Sequence, residues 1–97
     1  MRVVPLGDSP YTKRHNPEYE EHRAGFCSLG SRYARCIEGF EKRVLALPES
    51  IGKVAKAPPG ARNCHLFNHY VIWWRVFRQS REVEFLAIGH HDLFFGR

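Results

Sequence analysis

The fold is decided by an apolar run near the C-terminus, which reads Tyr70-Val71-Ile72-Trp73-Trp74-Arg75-Val76-Phe77-Arg78. Side chains alternate between the two faces of a β-strand, so this run divides into an apolar set and a mixed set. The apolar set, which we predict to face the core, is Tyr70, Ile72, Trp74 and Val76. The mixed set, on a face that need not be dry, is Val71, Trp73, Arg75 and Phe77.

Two further apolar runs flank this one, from Asn63 to Phe67 and from Val83 to Ile88. Turn-forming residues separate the three runs, at 68–69 and at 79–81. Three such runs with short breaks predict an antiparallel meander. The last run leads into Gly89, which we expect to end the strand. The polar residues delivered to a surface after it are His90, His91 and Asp92.

The N-terminal half carries the pattern of a first helix. Asn16-Pro17-Glu18 combines a capping residue, a proline suited to the first helical position and an acid in the first turn. We therefore predict a helix from residue 16 to about Arg23, with Gly25 ending it.

A second, longer helix is predicted between Ser31, which can cap it, and Pro48, which stops it. Its apolar residues recur at spacings of four and three, as on the buried face of a helix. They are Tyr33, Ile37, Phe40, Val44 and Leu47. From Pro48 to Gly60, prolines and glycines predict a loop in which Lys53 and Lys56 are exposed. We thus predict one α+β domain over residues 1–97, with a helical pair packed on one face of a small antiparallel sheet.

The composition of the chain indicates which kinds of partner and which cellular compartment to expect. The chain has 97 residues, with 15 Lys and Arg against 10 Asp and Glu and a pI near 9.5. This balance favours an acidic partner such as nucleic acid or an acidic protein segment. No segment approaches the ~20 apolar residues of a membrane span, and the N-terminus is too polar for a signal peptide. Cys27, Cys36 and Cys64 show no C-x-x-C spacing, so we expect free thiols in a reducing cytoplasm.

The order of helices, basic loop and three-strand meander resembles the RelE/ParE superfamily of bacterial toxins. Members commonly have a tyrosine in the middle strand followed by alternating apolar residues, as in Tyr70 to Val76 here. They then have an apolar strand ending in a Gly-His-Arg-Asp-like segment and an aromatic, which here reads Gly89-His90-His91-Asp92-Leu93-Phe94-Phe95. The resemblance, concentrated in residues 58–97, implies a RelE-like fold and an mRNA endoribonuclease that inhibits translation, with the ribosome as a further expected contact. It also implies a cognate antitoxin, which in this superfamily wraps the toxin with a helix or an extended segment.

Three positions depart from the ribonuclease members of the superfamily. Val71 follows the middle-strand tyrosine where those members typically have arginine, His91 replaces the arginine after Gly-His, and Phe95 replaces the usual terminal tyrosine. Phenylalanine can neither donate nor accept a proton. Either histidines do the work that arginine and tyrosine do in relatives, or cleavage has been lost. Both interpretations stay open.

Cleavage of RNA by its own 2′-hydroxyl needs a base, an acid and a cation around one phosphate. Histidine, with an unperturbed pKa of ~6.5, can fill either proton role. The histidines that an antiparallel sheet can bring together are His65, His69, His90 and His91. We predict that His90 or His91 is the general acid or base, with His65 as a further candidate. Arg75 or Arg62 would stabilise the phosphate.

Other side chains are candidates for binding RNA rather than cutting it. Lysines and arginines can hold phosphate, and an indole can stack on an unpaired base. The candidate RNA-binding residues are Lys53, Lys56, Trp73, Arg78 and His69. Each also has a simpler explanation, since loop lysines often only solubilise a protein and a tryptophan more often packs than stacks on a base.

Two other classes of function fit the same residues. Cys64 and the four histidines include ligand types for zinc, but their spacing matches no standard zinc signature, so we predict neither a metal nor a cofactor. A non-catalytic module, like the ParE-like members that act on DNA gyrase, would direct the basic charge at a protein target. A cell-free translation assay against a DNA supercoiling assay separates that module from a ribonuclease.

Overall fold

The computed structural model describes residues 11–56 and 58–92. The elements of this part of the chain are β1 Thr12–Arg14, α1 Pro17–Cys27, α2 Ser31–Ala46, β2 Lys53–Val54, β3 Ala61–Leu66, β4 Tyr70–Phe77 and β5 Glu82–His90. The strands form one sheet in the order β1-β5-β4-β3-β2. The predicted meander is β3, β4 and β5, all antiparallel, whereas β1 pairs parallel with β5. The predicted α+β architecture is confirmed, with a sheet that is mixed rather than wholly antiparallel.

Both predicted helices are present, with two corrections at their ends. Asn16 caps α1 as predicted, because its side-chain oxygen accepts two backbone N–H groups of the first turn. Gly25 does not end α1, which continues to Cys27. A glycine inside a helix costs about 1 kcal/mol relative to alanine, which is too little to stop a helix held by its buried face. Ser31 is the first residue of α2 and not its cap, a position that Gly30 occupies.

The apolar stripe of α2 packs on β4 as predicted. Ile37, Phe40 and Val44 are buried. The Phe40 ring meets the Trp74 ring edge to face, with 5.7 Å between ring centroids. Leu47 was predicted to continue the stripe, but it is 61% exposed because α2 has already ended.

The core-facing side of β4 is also confirmed. Ile72 and Trp74 are fully buried, and Tyr70 and Val76 are partly buried against the same cluster. Val71, which belongs to the opposite face, is fully buried as well. Val71 is therefore covered on that second face, although His65 opposite it is exposed.

A buried polar cluster joins β1 to both helices. The Glu41 carboxylate, 8% exposed, accepts from the Tyr19 hydroxyl at 2.5 Å and from Arg23 Nε at 3.0 Å, and Lys13 Nζ lies 3.6 Å away. Burial raises the pKa of the Tyr19 phenol far above its ordinary value, and the neighbouring Glu41 raises that pKa further. Tyr19 therefore stays protonated and acts as the donor.

A bulge in β5 decides which of its side chains face the helices. Trp74 pairs with Phe85 but Trp73 pairs with Ala87, which leaves Leu86 without an opposite residue. An extra residue of this kind shifts the alternation by one position. Phe85 and Ile88 therefore both face the core, although they are three residues apart.

Several strand boundaries differ from the prediction, and β3, for example, spans Ala61–Leu66 rather than 63–67. Gly89 does not end β5, because Gly89 and His90 still pair with Val71 and Tyr70 of β4. The predicted loop after Pro48 contains β2, a strand of two residues that is too short to show any periodicity. Lys53 and Lys56 are exposed in this region as predicted, and no helix of the described residues is long and apolar enough to cross a membrane.

Candidate functional site

Among residues 11–56 and 58–92 the helices cover one face of the sheet, and we call the other its open face. The pairing register assigns side chains to the open face by their alternation with the core-facing residues of each strand. Polar and aromatic residues on the open face are Lys53, Asn63, His65, Trp73, Arg75, Phe77, Glu82 and Glu84. Lys53, Asn63 and Trp73 stand in one row across β2, β3 and β4.

Four histidines meet where β4 begins and β5 ends, as predicted, and they form two stacked pairs. The rings of His65 and His91 lie 5.3 Å apart between centroids, with 27° between their planes. The rings of His69 and His90 lie 6.0 Å apart and 2° from parallel. The His65–His91 pair belongs to the open face. His90 lies beside Tyr70 at 5.7 Å, in the same phase of β5 as the core-facing residues before it.

Asp92 borders both pairs. Its carboxylate oxygens lie 3.6 Å from His91 Nδ1 and 3.8 Å from His90 Nδ1. Its backbone N–H donates to His90 Nδ1 at 3.2 Å, so that nitrogen acts as an acceptor. The backbone N–H of His91 donates to the carbonyl of His69 at 2.6 Å. The segment after β5 is thus fastened to the first turn of the meander.

Arg62 does not lie on the open face, contrary to the role predicted for it. It pairs with the core-facing Trp74, and its guanidinium turns to the loop that follows α2. There Nε donates to the carbonyl of Ile51 at 2.9 Å and Nη2 donates to the carbonyl of Gly52 at 3.1 Å. Arg62 therefore secures the loop before β2 from the helix side of the sheet.

The other two predicted arginines lie away from the histidines. Arg75 is on the open face, but it is four residues along β4 from Val71, roughly 13 Å at strand spacing, and its guanidinium covers the Phe77 ring at 5.0 Å. Arg78 follows the end of β4 and pairs with Glu49, with 2.7 Å between Nη2 and Oε2. Neither arginine shares a phosphate position with the histidine cluster.

Lys53 is the candidate cation placed nearest to the His65–His91 pair. It is exposed and pairs with Asn63, two residues before His65, so the backbone positions of Lys53 and His65 lie roughly 8 Å apart at strand spacing. Trp73, partly buried, follows Asn63 in the same row. Two of the predicted RNA-binding residues are thus beside the histidines, while Lys56 lies exposed in the loop beyond β2.

The cysteines lie outside this face. Cys64 pairs with the core-facing Ile72, and burial raises the pKa of its thiol, so it remains a neutral thiol. All three cysteines are free, as predicted. Within residues 11–56 and 58–92, no group of three or more His, Cys, Asp and Glu side chains is arranged to hold a metal ion.

Besides the short strand β2, two features of the sheet gave no recognisable sequence signal. The bulge at Leu86 is one, and the parallel strand β1 is the other. β1 carries Arg14, whose guanidinium lies 4.0 Å from the centroid of the Phe77 ring and 2.9 Å from the Glu82 carboxylate. A cavity of about 580 Å³ opens at this end of the sheet, between Gly60 and residues 76–80. The cations and the cavity at this end are remote from the histidines. Residues 93–97, which include Phe95, lie outside the described part.

Comparison with known proteins supports the fold. No family model matches the sequence, and no curated protein matches it. The chain is similar in structure to a chain of the toxin-antitoxin complex RelBE2 from Mycobacterium tuberculosis, with a TM-score of 0.67 and 18% sequence identity. The match covers 86% of this chain and 93% of that chain. The RelE-like fold predicted from the sequence is thereby confirmed.

Proposed function

We propose that this protein is the toxin of a toxin-antitoxin pair, and that it inhibits translation by cleaving mRNA on the open face of its sheet. The observation that carries the proposal is the stacked pair of His65 and His91 with Lys53 on the same face. Two proton-transfer groups and a cation on one face of the sheet are the parts that cleavage by a 2′-hydroxyl requires. The fold shared with a chain of the RelBE2 complex supports the toxin class and a cognate antitoxin.

The proposed reaction needs no metal and no cofactor. One histidine of the pair takes the proton of the 2′-hydroxyl, and the 2′-oxygen then attacks the adjacent phosphorus. The bond from phosphorus to the 5′-oxygen breaks, and the second histidine donates its proton to that oxygen. The products are a 2′,3′-cyclic phosphate and a 5′-hydroxyl end.

Other residues position the reacting groups. Lys53 stabilises the charge on the equatorial phosphate oxygens, and the Asp92 carboxylate lies 3.6 Å from Nδ1 of the His91 ring. Trp73, in the row next to the histidines, offers a face on which a base of an unpaired strand can stack. Val71 pairs with both His65 and Gly89 and is fully buried. Where the ribonuclease members typically have an arginine, this chain therefore has a buried apolar side chain between two strands.

The positions of the arginines favour a second candidate function, that of a toxin that binds a protein target. Arg62 and Arg78 are engaged elsewhere and Arg75 lies at the far end of β4, so the site holds fewer cations than we predicted from the sequence. A toxin that binds a protein target such as DNA gyrase needs no phosphate site beside the histidines.

The two candidates are separated by assaying the purified chain in cell-free translation and in gyrase-driven DNA supercoiling. The ribonuclease proposal expects translation to stop with new 5′-hydroxyl ends in the message and supercoiling to proceed. Loss of supercoiling with intact messages would favour the protein-binding toxin. Growth arrest on induced expression, relieved by co-expression of the neighbouring reading frame, tests the toxin-antitoxin class itself.

A further inference from the structure

A group of cations occupies the exposed face of α2, on the opposite side of the molecule from the candidate site. Arg32, Arg35, Lys42 and Arg43 are all exposed, and Glu38 is the exposed acid among them. None of the four cations takes part in a salt bridge with another described residue. Four cations against one acid supply a large share of the net charge of +5.

Gly39 lies at the centre of this group. It is exposed, and a Cβ placed there would meet no atom within 4 Å. Residues three or four positions apart are neighbours on a helix surface, so Gly39 is bordered by Arg35, Lys42 and Arg43. A glycine inside a helix and like charges on one face both weaken the helix. Arg32 and Arg43 also lie over aromatic rings of the fold, those of Phe67 and Phe40, at 5.6 and 5.5 Å from the ring centroids. The pattern indicates a surface on which a negatively charged partner approaches the helix closely.

Exposed apolar side chains stand at both ends of α2. Leu29 precedes the helix and is 50% exposed, and Leu47 follows it and is 61% exposed. A nucleic acid backbone requires cations but has no use for exposed leucines, whereas protein interfaces combine apolar anchors with charged and polar contacts. The charge and the two leucines together favour a polypeptide over RNA.

We propose that this surface, the α2 face, binds an acidic segment of a partner protein. The α2 face is defined as Leu29, Arg32, Arg35, Gly39, Lys42, Arg43 and Leu47. The inference rests on the proposed function for the identity of the partner, which would be the antitoxin. Carboxylates of the segment pair with the cations, for which arginine offers two parallel donors. The missing side chain at Gly39 admits the backbone of the segment, and its apolar residues cover the two leucines.

The test uses a synthetic acidic peptide about as long as α2, with glutamates in its middle and leucines near both ends. Binding of the whole protein is measured by fluorescence anisotropy. The charge reversal R35E/K42E is expected to weaken binding by roughly tenfold or more, since two exposed attractions become repulsions. The matched reversal K56E/R81E, off the α2 face, is expected to change affinity by less than about threefold.

A second pair of measurements distinguishes a peptide from RNA. L29S/L47S is expected to weaken peptide binding while leaving binding of a short duplex RNA unchanged. The proposal is overturned if the peptide does not bind, if R35E/K42E binds it as wild type does, or if duplex RNA alone depends on the α2 face. RNA cleavage is expected to be unchanged in R35E/K42E. If wild type does not cleave RNA, the proposed function fails, and the peptide measurements still decide whether the α2 face binds an acidic segment.

Discussion

At Gly52 both the backbone conformation and the packing leave no room for a side chain. Its φ is +75°, and a Cβ there would lie 2.4 Å from the Asn63 carbonyl oxygen and 2.8 Å from the Trp74 ring. We expect Gly52→Ala to lower the free energy of unfolding by about 1 to 3 kcal/mol, measured by urea denaturation. Gly25→Ala, where a Cβ meets nothing, is the matched control and should raise it by up to about 1 kcal/mol. Equal stability of the two variants would mean that the loop before β2 is not packed as described.

Lys53 is expected to contribute more to cleavage than either predicted arginine. Lys53→Ala should lower the rate of RNA cleavage by roughly 10²-fold, the usual scale for removing one group that stabilises transition-state charge. Arg75→Ala, which removes a cation from the far end of the same face, should lower it by less than about tenfold. A larger loss for Arg75 than for Lys53 would show that the phosphate does not lie beside the histidines.

The residue types of the site were predicted from the sequence, but their distribution between the two faces was not. His65 and Arg62 are three residues apart on one strand, and that odd spacing alone places them on opposite faces. The face on which His90 lies depends in addition on the bulge at Leu86. No residue between Val83 and Ile88 predicts that bulge. One extra residue in a strand exchanges the faces of every residue after it, so the composition of a cluster is easier to predict than its geometry.

Among the contacts between the helices and the sheet, α2 packs on β4 through the Phe40 ring. Phe40 is 3% exposed and meets Trp74, so Phe40→Ala is expected to cost roughly 3 to 5 kcal/mol of unfolding free energy. Leu47→Ala, at the exposed end of the same sequence pattern, is the control and should change stability by less than about 0.5 kcal/mol. A loss below about 1 kcal/mol for Phe40→Ala would contradict the packing of the stripe on β4.

Because of the cluster that joins β1, α1 and α2, the stability of the protein is expected to decline at alkaline pH. In the unfolded chain Tyr19 ionises near pH 10, while burial and Glu41 raise its pKa in the folded protein. The folded state then holds a proton that the unfolded state has lost, so this contribution to stability is complete below about pH 10 and declines above it. We expect wild type to lose stability more steeply than Tyr19→Phe above that pH, in denaturant titrations at matched pH values. Parallel declines would show that Tyr19 is not held in its neutral form.

α2 and the meander were predicted because each is long enough to show its own period, whereas α1 was predicted from the capping pattern at Asn16, Pro17 and Glu18. The stripe from Ile37 to Val44 and the alternation in β4 are both visible without a partner. β1 and β2 have three and two residues, and each is a strand only because a neighbour in the sheet pairs with it. The parallel pairing of β1 with β5 joins residues about 70 positions apart, which no local pattern encodes.

The sheet and the helical layer each present a separate candidate binding surface. The sheet presents the His65–His91 pair and Lys53 on its open face, and the helical layer presents the cations of the α2 face. The basic charge seen in the composition is therefore not one patch. A partner bound along α2 leaves the histidines uncovered unless a further segment of it crosses to the sheet, which is the wrapping that the resemblance implies for an antitoxin.

Cleavage by the open face is measured by incubating a single-stranded RNA with the purified protein in the presence of a metal chelator. The expected result is cleavage to 2′,3′-cyclic phosphate and 5′-hydroxyl ends, with losses of roughly 10² to 10⁴-fold for His65→Ala and for His91→Ala. His69→Ala and His90→Ala, from the other stacked pair, serve as matched controls and should cleave nearly as wild type does. No cleavage by wild type, alone or in a translating extract, would contradict the account, as would full activity of both open-face variants.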